Sequence, residues 1–304
     1  MDPHSGDRRV QFDFEVDFSN GGGIQGQGFR LDIEGDDIAD EDLAAYIVED
    51  LRLLMVGEVR ILNKTIIRER HKRSATTTAR AAGADGRWRI DLSHTVENGM
   101  VTYPGLPAPV VCDFLSRERS RAHYAEGTEF QIGYIGMCAN TGTYVDSPFH
   151  RYADGRDLAE LPLEHLADLD AVTVNVAGNV ERGIDREHLL PHHVAGRAVL
   201  VHTGWDRHWG STRYFDGHPF LTEAAARHLL REGAVLVGID SLNLDNTDGA
   251  ERPVHSVLLE AGIPICEHLT NLGSLPSDGY RFSAVPVKVH GMGTFPVRAY
   301  AASP

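Results

Sequence analysis

Residues 234–268 read AVLVGIDSLNLDNTDGAERPVHSVLLEAGIPICEH, and their pattern decides the fold class. AVLVGID (234–240) and IPICE (263–267) are short apolar runs bounded by turn-forming residues, the expected form of buried strands. Between them, PVHSVLLEAG (253–262) has Pro253 early and Gly262 at its end, the asymmetry of a helix start and stop. Working outward, AVTVNVAG (171–178) and AVLVHTG (198–204) add two strand candidates, and TEAAARHLLREG (222–233) a second helix. Strands and helices that alternate in this way predict an α/β domain around a largely buried sheet. No internal repeat is visible.

The N-terminal part reads differently. VQFDFEVDF alternates Val10, Phe12, Phe14, Val16 and Phe18 with polar neighbours, the period of a half-buried strand. After the turn-forming SNGGG, GFRLDI alternates again at Phe29, Leu31 and Ile33, which predicts a hairpin. Gly21 to Gly23 lack the Lys-Ser/Thr of a phosphate loop, so a turn is expected there. ADEDLAAYIVEDLRLLM places Leu43, Tyr46, Ile47, Leu51 and Leu54 near helical spacing, with acidic residues in the first turn. The expected organisation is a small α+β unit over residues 1–71, an Ala/Thr/Gly-rich linker at 72–87, and an α/β domain at 88–304.

A formal charge of −15 without a broad basic face speaks against a nucleic-acid partner. The charge is uneven, with twelve acidic side chains against Arg30 in residues 11–50 and eight basic ones against Glu58 and Glu69 in residues 51–80. Solvated faces of one small unit account for this. No run of about 18 apolar residues offers a membrane span, and the first residues lack the apolar core of a secretion signal, so a cytoplasmic protein is expected. Cys112, Cys138 and Cys266 are too few and scattered for a disulfide framework.

Chemistry-bearing residues gather in two places. In NTGTYVDSPFH (140–150), an extended segment from Thr143 up to Pro148 would put Tyr144 and Asp146 on one face, with His150 just beyond. In the second, His255 opens a helix and Glu267 ends the following strand, the edge of an α/β sheet where ligands bind. Either cluster alone is more often a set of satisfied structural polar groups.

Together they carry a resemblance. IDLSHTVENGMVTYPGLPAP, NTGTYVDSPFHRYADGRDLAELPLEHL, HTGWDRHWG, VGIDSLNLD, HSVLLEAGIPICEHLTNL and FSAVPVKVHGMGTFPVRA occur in the order found in the cyclase family of metal-dependent hydrolases, which includes bacterial kynurenine formamidases and isatin hydrolases. The resemblance covers roughly residues 88–300 and none of residues 1–70. It implies a swivelling β/β/α domain, a small-molecule substrate, and a homo-oligomer, dimer or tetramer.

The family signature has the form His-x-Gly-Thr-His-x-Asp-x-Pro-x-His. Its first two His and the Asp bind Zn or Mn, its last His is a base, and a later His and Glu complete the metal sites. Carried onto this chain, Asp146 matches the metal-binding Asp, His150 the base, and His255 and Glu267 the later ligands. Asn140 and Tyr144 stand where the signature has its two ligand His. An amide oxygen or a neutral phenol is a poor ligand for these ions, so metal binding is expected to be weakened or lost.

Three readings follow. With one divalent ion on Asp146, His255 and Glu267, the chain would hydrolyse an amide or ester bond of a small carbonyl compound, or close the ring in reverse. Without metal, Tyr144 as proton donor, Asn140 as oxyanion donor and His150 and Glu267 as proton carriers would suit cyclisation, dehydration or isomerisation, as in a biosynthetic tailoring step. The third is a non-catalytic ligand-binding protein. Tyr103, Trp205 and Trp209 lie beside turn formers and are candidates for an aromatic pocket wall, or for core. His94 and His218 read as structural or surface residues, and Asp240 and Asp245 as turn-capping carboxylates. The N-terminal unit is left with two roles, covering the pocket or building the oligomer.

Overall fold

The computed structural model describes residues 8–19, 22–33, 35–50, 53, 56–68 and 87–304. The expected linker falls almost wholly outside these residues, as do Leu51 and Leu54 of the first helix. The chain forms two compact units.

The first unit is built on a five-stranded sheet in the order Val56–Arg68, Arg8–Phe18, Gly23–Asp32, Val110–Leu115, Ile132–Gly136. The hairpin pairs as its alternation requires, and Val10, Phe12, Phe14 and Val16 are buried. The Phe14 ring lies over Gly26, where a Cβ would come within 2.2 Å of it, so only glycine fits that strand position. Leu43 and Ile47 of the helix Asp40–Asp50 are buried in the same core cluster.

The observed division differs from the expected one. Residues 96–101 and 105–138 belong to the first unit, not to the larger domain. The strand Gly23–Asp32 offers an unpaired edge, and Val110–Leu115 pairs with it through Gln25 and Asp113, about ninety residues apart in sequence. Pairing over that separation leaves no mark in local periodicity.

The second unit is a mixed nine-stranded sheet in the order Thr294–Pro296, Tyr144–Asp146, Ile265–Glu267, Leu236–Ile239, Ala198–His202, Leu169–Asn175, Tyr280–Ser283, Tyr300–Ala302, Arg89–Asp91. Its four central strands are parallel and contain the four apolar runs, as the α/β reading predicts. The helices Glu223–Glu232 and Pro253–Glu260 contribute to one apolar cluster, and a second cluster gathers further sheet residues with Trp88, Leu158 and Leu272. Thr222 caps the first helix on the Ala225 N–H, and Gly233 ends it with φ of 80°. Pro253 and Gly262 bracket the second helix as expected, Gly262 with φ of 76°. Among the described residues, no helix is long and apolar enough to cross a membrane.

Candidate active site

The site is assembled where three strands meet a helix start. Tyr144–Asp146 pairs antiparallel with Ile265–Glu267 on one side and with Thr294–Pro296 on the other. Ser147 is extended before Pro148, and the chain then turns through Pro148–His150. Tyr144 and Asp146, two apart on the strand, both reach the interior next to Glu267, and His255 enters from the first turn of its helix.

One ligand atom each of Asp146, His255 and Glu267 lies within 4.8 Å of the others, and all three residues are buried. His255 Nε2 is 3.8 Å from Asp146 Oδ2 and 3.6 Å from Glu267 Oε1. Glu267 is firmly held: Oε1 accepts the Leu244 N–H at 2.6 Å, and Oε2 accepts the Tyr144 hydroxyl at 2.7 Å and the Asn243 amide at 3.3 Å. Asp146 Oδ2, by contrast, is buried without a hydrogen-bond partner. A buried carboxylate oxygen in that condition calls for a cation or donor. The residues therefore fit a divalent ion: two carboxylates and one imidazole are ordinary ligands for Zn or Mn, and Asp245 fixes the imidazole from behind.

The two departures from the signature sit together: the Tyr144 hydroxyl donates to Glu267 Oε2, with the Asn140 side chain near it. Burial, then the charges of Glu267 and Asp146, push the Tyr144 phenol well above its ordinary range, so it stays neutral. It acts as a hydrogen-bond donor to a carboxylate.

Burial works against a charged His255, but Glu267, Asp146 and Asp245 overcome it and raise its pKa to about 10. Burial also raises Glu267, to about 7, with His255 pulling the other way. His150 is more open, its side chain 36% exposed, with Nδ1 2.9 Å from Thr294 Oγ1 and 3.8 Å from Asp146 Oδ1.

The aromatic candidates separate. Trp205 belongs to the packed interior, its indole N–H donating to the Tyr214 carbonyl at 3.0 Å. Tyr103 and Trp209 are partly buried against it. Burial and the charge of Glu267 raise the pKa of Tyr103, which places it beside the site, while one face of Trp209 is stacked on His94 at 3.9 Å. Asp240 caps Thr203 and Gly204, and His218 bonds to Pro219 and Thr247, all contacts that hold loops in place.

Three residues near the site carry no distinguishing mark in the sequence. Asp245 reads locally as a turn cap, yet it also holds the His255 ring. Thr294 bridges Asp146 and His150. His268 follows Glu267 with φ of 57°, packs against Tyr144, Trp209 and Tyr214, and donates from Nε2 to the Leu242 carbonyl. A non-glycine residue at positive φ beside a site is suggestive, but invisible without coordinates.

The Cyclase family profile matches residues 90–246 of this chain, a span that contains Asn140, Tyr144, Asp146 and His150 and ends before His255 and Glu267. The chain belongs to the cyclase family of enzymes. It is 28% identical over 211 residues to a kynurenine formamidase of Geobacillus thermodenitrificans, covering 69% of this chain and 95% of that one. Among solved structures it resembles isatin hydrolase A from Labrenzia aggregata, with a TM-score of 0.62 and 21% identity over 71% of this chain and 94% of that one. A potential metal-dependent hydrolase with cyclase activity is similar at a TM-score of 0.59 and 24% identity, over 72% of this chain and 98% of that one. The fold is thus the β/β/α type that the resemblance implies, with the N-terminal strands outside the match.

Proposed function

We propose that this protein hydrolyses an amide or ester bond in a small, ring-bearing carbonyl compound, or closes the corresponding ring, at the site formed by Asp146, His255, Glu267 and His150. The observation that carries this reading is the convergence of three buried ligand atoms around a carboxylate oxygen without a partner. Asp146, His255 and Glu267 would hold a divalent ion, which supplies polarisation of the carbonyl and acidification of water. His150, partly open and next to Asp146, takes the proton from the attacking water and returns it to the leaving nitrogen or oxygen. Tyr144 and Asn243 take no part in that transfer; they keep Glu267 oriented by donating to its Oε2. Tyr103 and Trp209 supply apolar surface for a planar ring.

Turnover of an aryl formamide and of isatin, measured with added Zn or Mn and after chelation, tests the reading. Metal-dependent turnover that falls at least about 100-fold in His150→Ala is expected. Turnover indifferent to both chelation and that substitution would contradict it.

A second reading is favoured by the direct hydrogen bond from the Tyr144 hydroxyl to Glu267. A phenol donating to a carboxylate can pass a proton along that bond, and with His150 it would support metal-independent cyclisation or dehydration. Turnover that survives chelation and is lost in Tyr144→Phe distinguishes it.

A further inference from the structure

Thr294 stands between Asp146 and His150, and its one hydroxyl has a hydrogen bond to each: to Asp146 Oδ1, and to His150 Nδ1 at 2.9 Å. Thr294 is buried. An ionised carboxylate can only accept, so the threonine hydroxyl donates to Asp146. With its single proton committed there, its oxygen meets His150 Nδ1 as an acceptor, and Nδ1 must carry the hydrogen. The lone pair of the neutral ring is then on Nε2, which has no hydrogen-bond partner among the described residues. We propose that Thr294 is a positioning residue that holds neutral His150 in its Nδ1–H tautomer and so makes Nε2 the proton-accepting atom.

The backbone is built to put Thr294 there. Thr294 pairs directly with Asp146 across the antiparallel strands, and the Ser147 N–H donates to the Gly293 carbonyl at 2.7 Å. A Cβ on Gly293 would lie 2.4 Å from the His150 nitrogen and 2.5 Å from its Cα. Only glycine lets this strand run so close to the His150 turn. Thr294 also occupies one oxygen of Asp146 and leaves the other, Oδ2, without a hydrogen bond and 3.8 Å from His255 Nε2. One hydroxyl therefore orients both the carboxylate and the imidazole. The tautomer follows from the hydrogen-bond geometry with Asp146 ionised; the use of Nε2 as a base rests on the hydrolase reading above.

The test is nitrogen NMR of protein labelled with ¹⁵N-histidine, at a pH where the His150 ring is neutral, with its signals identified by their loss in His150→Gln. The expected wild-type pattern is a protonated Nδ1 and a lone-pair Nε2. Thr294→Val, similar in shape but unable to accept, should move the pattern toward Nε2–H, and Thr294→Ser should keep it. In turnover, Thr294→Val should lower kcat about 10-fold or more at little changed KM, with Thr294→Ser restoring most of it. A wild-type spectrum with Nε2 protonated overturns the proposal whether or not the valine variant folds. A folded Thr294→Val with an unchanged pattern overturns it as well. The predicted spectra in a protein that turns over no carbonyl substrate would uphold the tautomer and remove the hydrolase reading instead.

Discussion

Asp245 holds His255 twice through one oxygen: Oδ2 accepts the His255 backbone N–H at 2.9 Å and the ring Nδ1–H at 2.7 Å. Its Oδ1 accepts the Val254 N–H at 2.8 Å. A single carboxylate thus caps the helix and leaves His255 Nε2 to face Asp146 and Glu267. Asp245→Ala should cost about 3 kcal/mol of stability, from the lost cap and a buried charged partner, and weaken metal binding about 10–100-fold. Thermal unfolding and a metal titration check this; unchanged affinity in a folded variant would deny Asp245 the orienting role.

Tyr144 and Asn140 stand where the family signature has His, and here Tyr144 donates to Glu267 instead. Replacing both by His should tighten Zn binding by about tenfold or more, because neutral imidazole is the better ligand. Competition against a coloured chelator measures it. No gain would mean that these positions do not face the ion.

Burial lowers the His268 pKa to about 4 from its ordinary 6.5, against the opposing pull of the Leu242 carbonyl. The folded pKa is depressed, so between pH 6.5 and about 4 the unfolded chain binds more protons, and stability present above 6.5 is lost as pH falls. His94, lowered to about 3 by burial, acts in the same direction. Urea unfolding from about pH 7 to about pH 4.5 should show a steep acid loss that His268→Gln makes shallower, by at most about 1.4 kcal/mol per pH unit. Identical slopes would contradict this assignment.

Gly293→Ala drives a methyl group into the His150 backbone. The expected cost is about 1–3 kcal/mol, with turnover lost at temperatures where the fold survives. Parallel calorimetry and kinetics separate the two effects. A variant with wild-type turnover would show that the strand tolerates displacement.

How far the sequence reaches depends on the range of the interaction. The central strands are legible because parallel strands covered on both faces are apolar throughout, as Ala198–His202 and Leu236–Ile239 are. Pro253 and Gly262 mark their helix for local backbone reasons. The meeting of Asp146 with His255 and Glu267 comes through resemblance, since nothing local joins it to residues so far along the chain. Thr294 escapes because an isolated threonine has no pattern, and its partner Asp146 is 148 positions away. Asp245 hides behind its own cap, which is an equally valid local reading. Trp205, with its buried N–H satisfied by Tyr214, shows that an aromatic next to a glycine is as readily core as wall.

Under the proposed function, Asp146, His255 and Glu267 suffice to hold an ion without the two signature imidazoles. Elemental analysis of the purified protein after dialysis against Zn or Mn, beside Asp146→Ala treated alike, tests this most directly. About one ion per chain in the wild type and a near-complete loss in the variant are expected. Equal metal in both, or none in either, would contradict it.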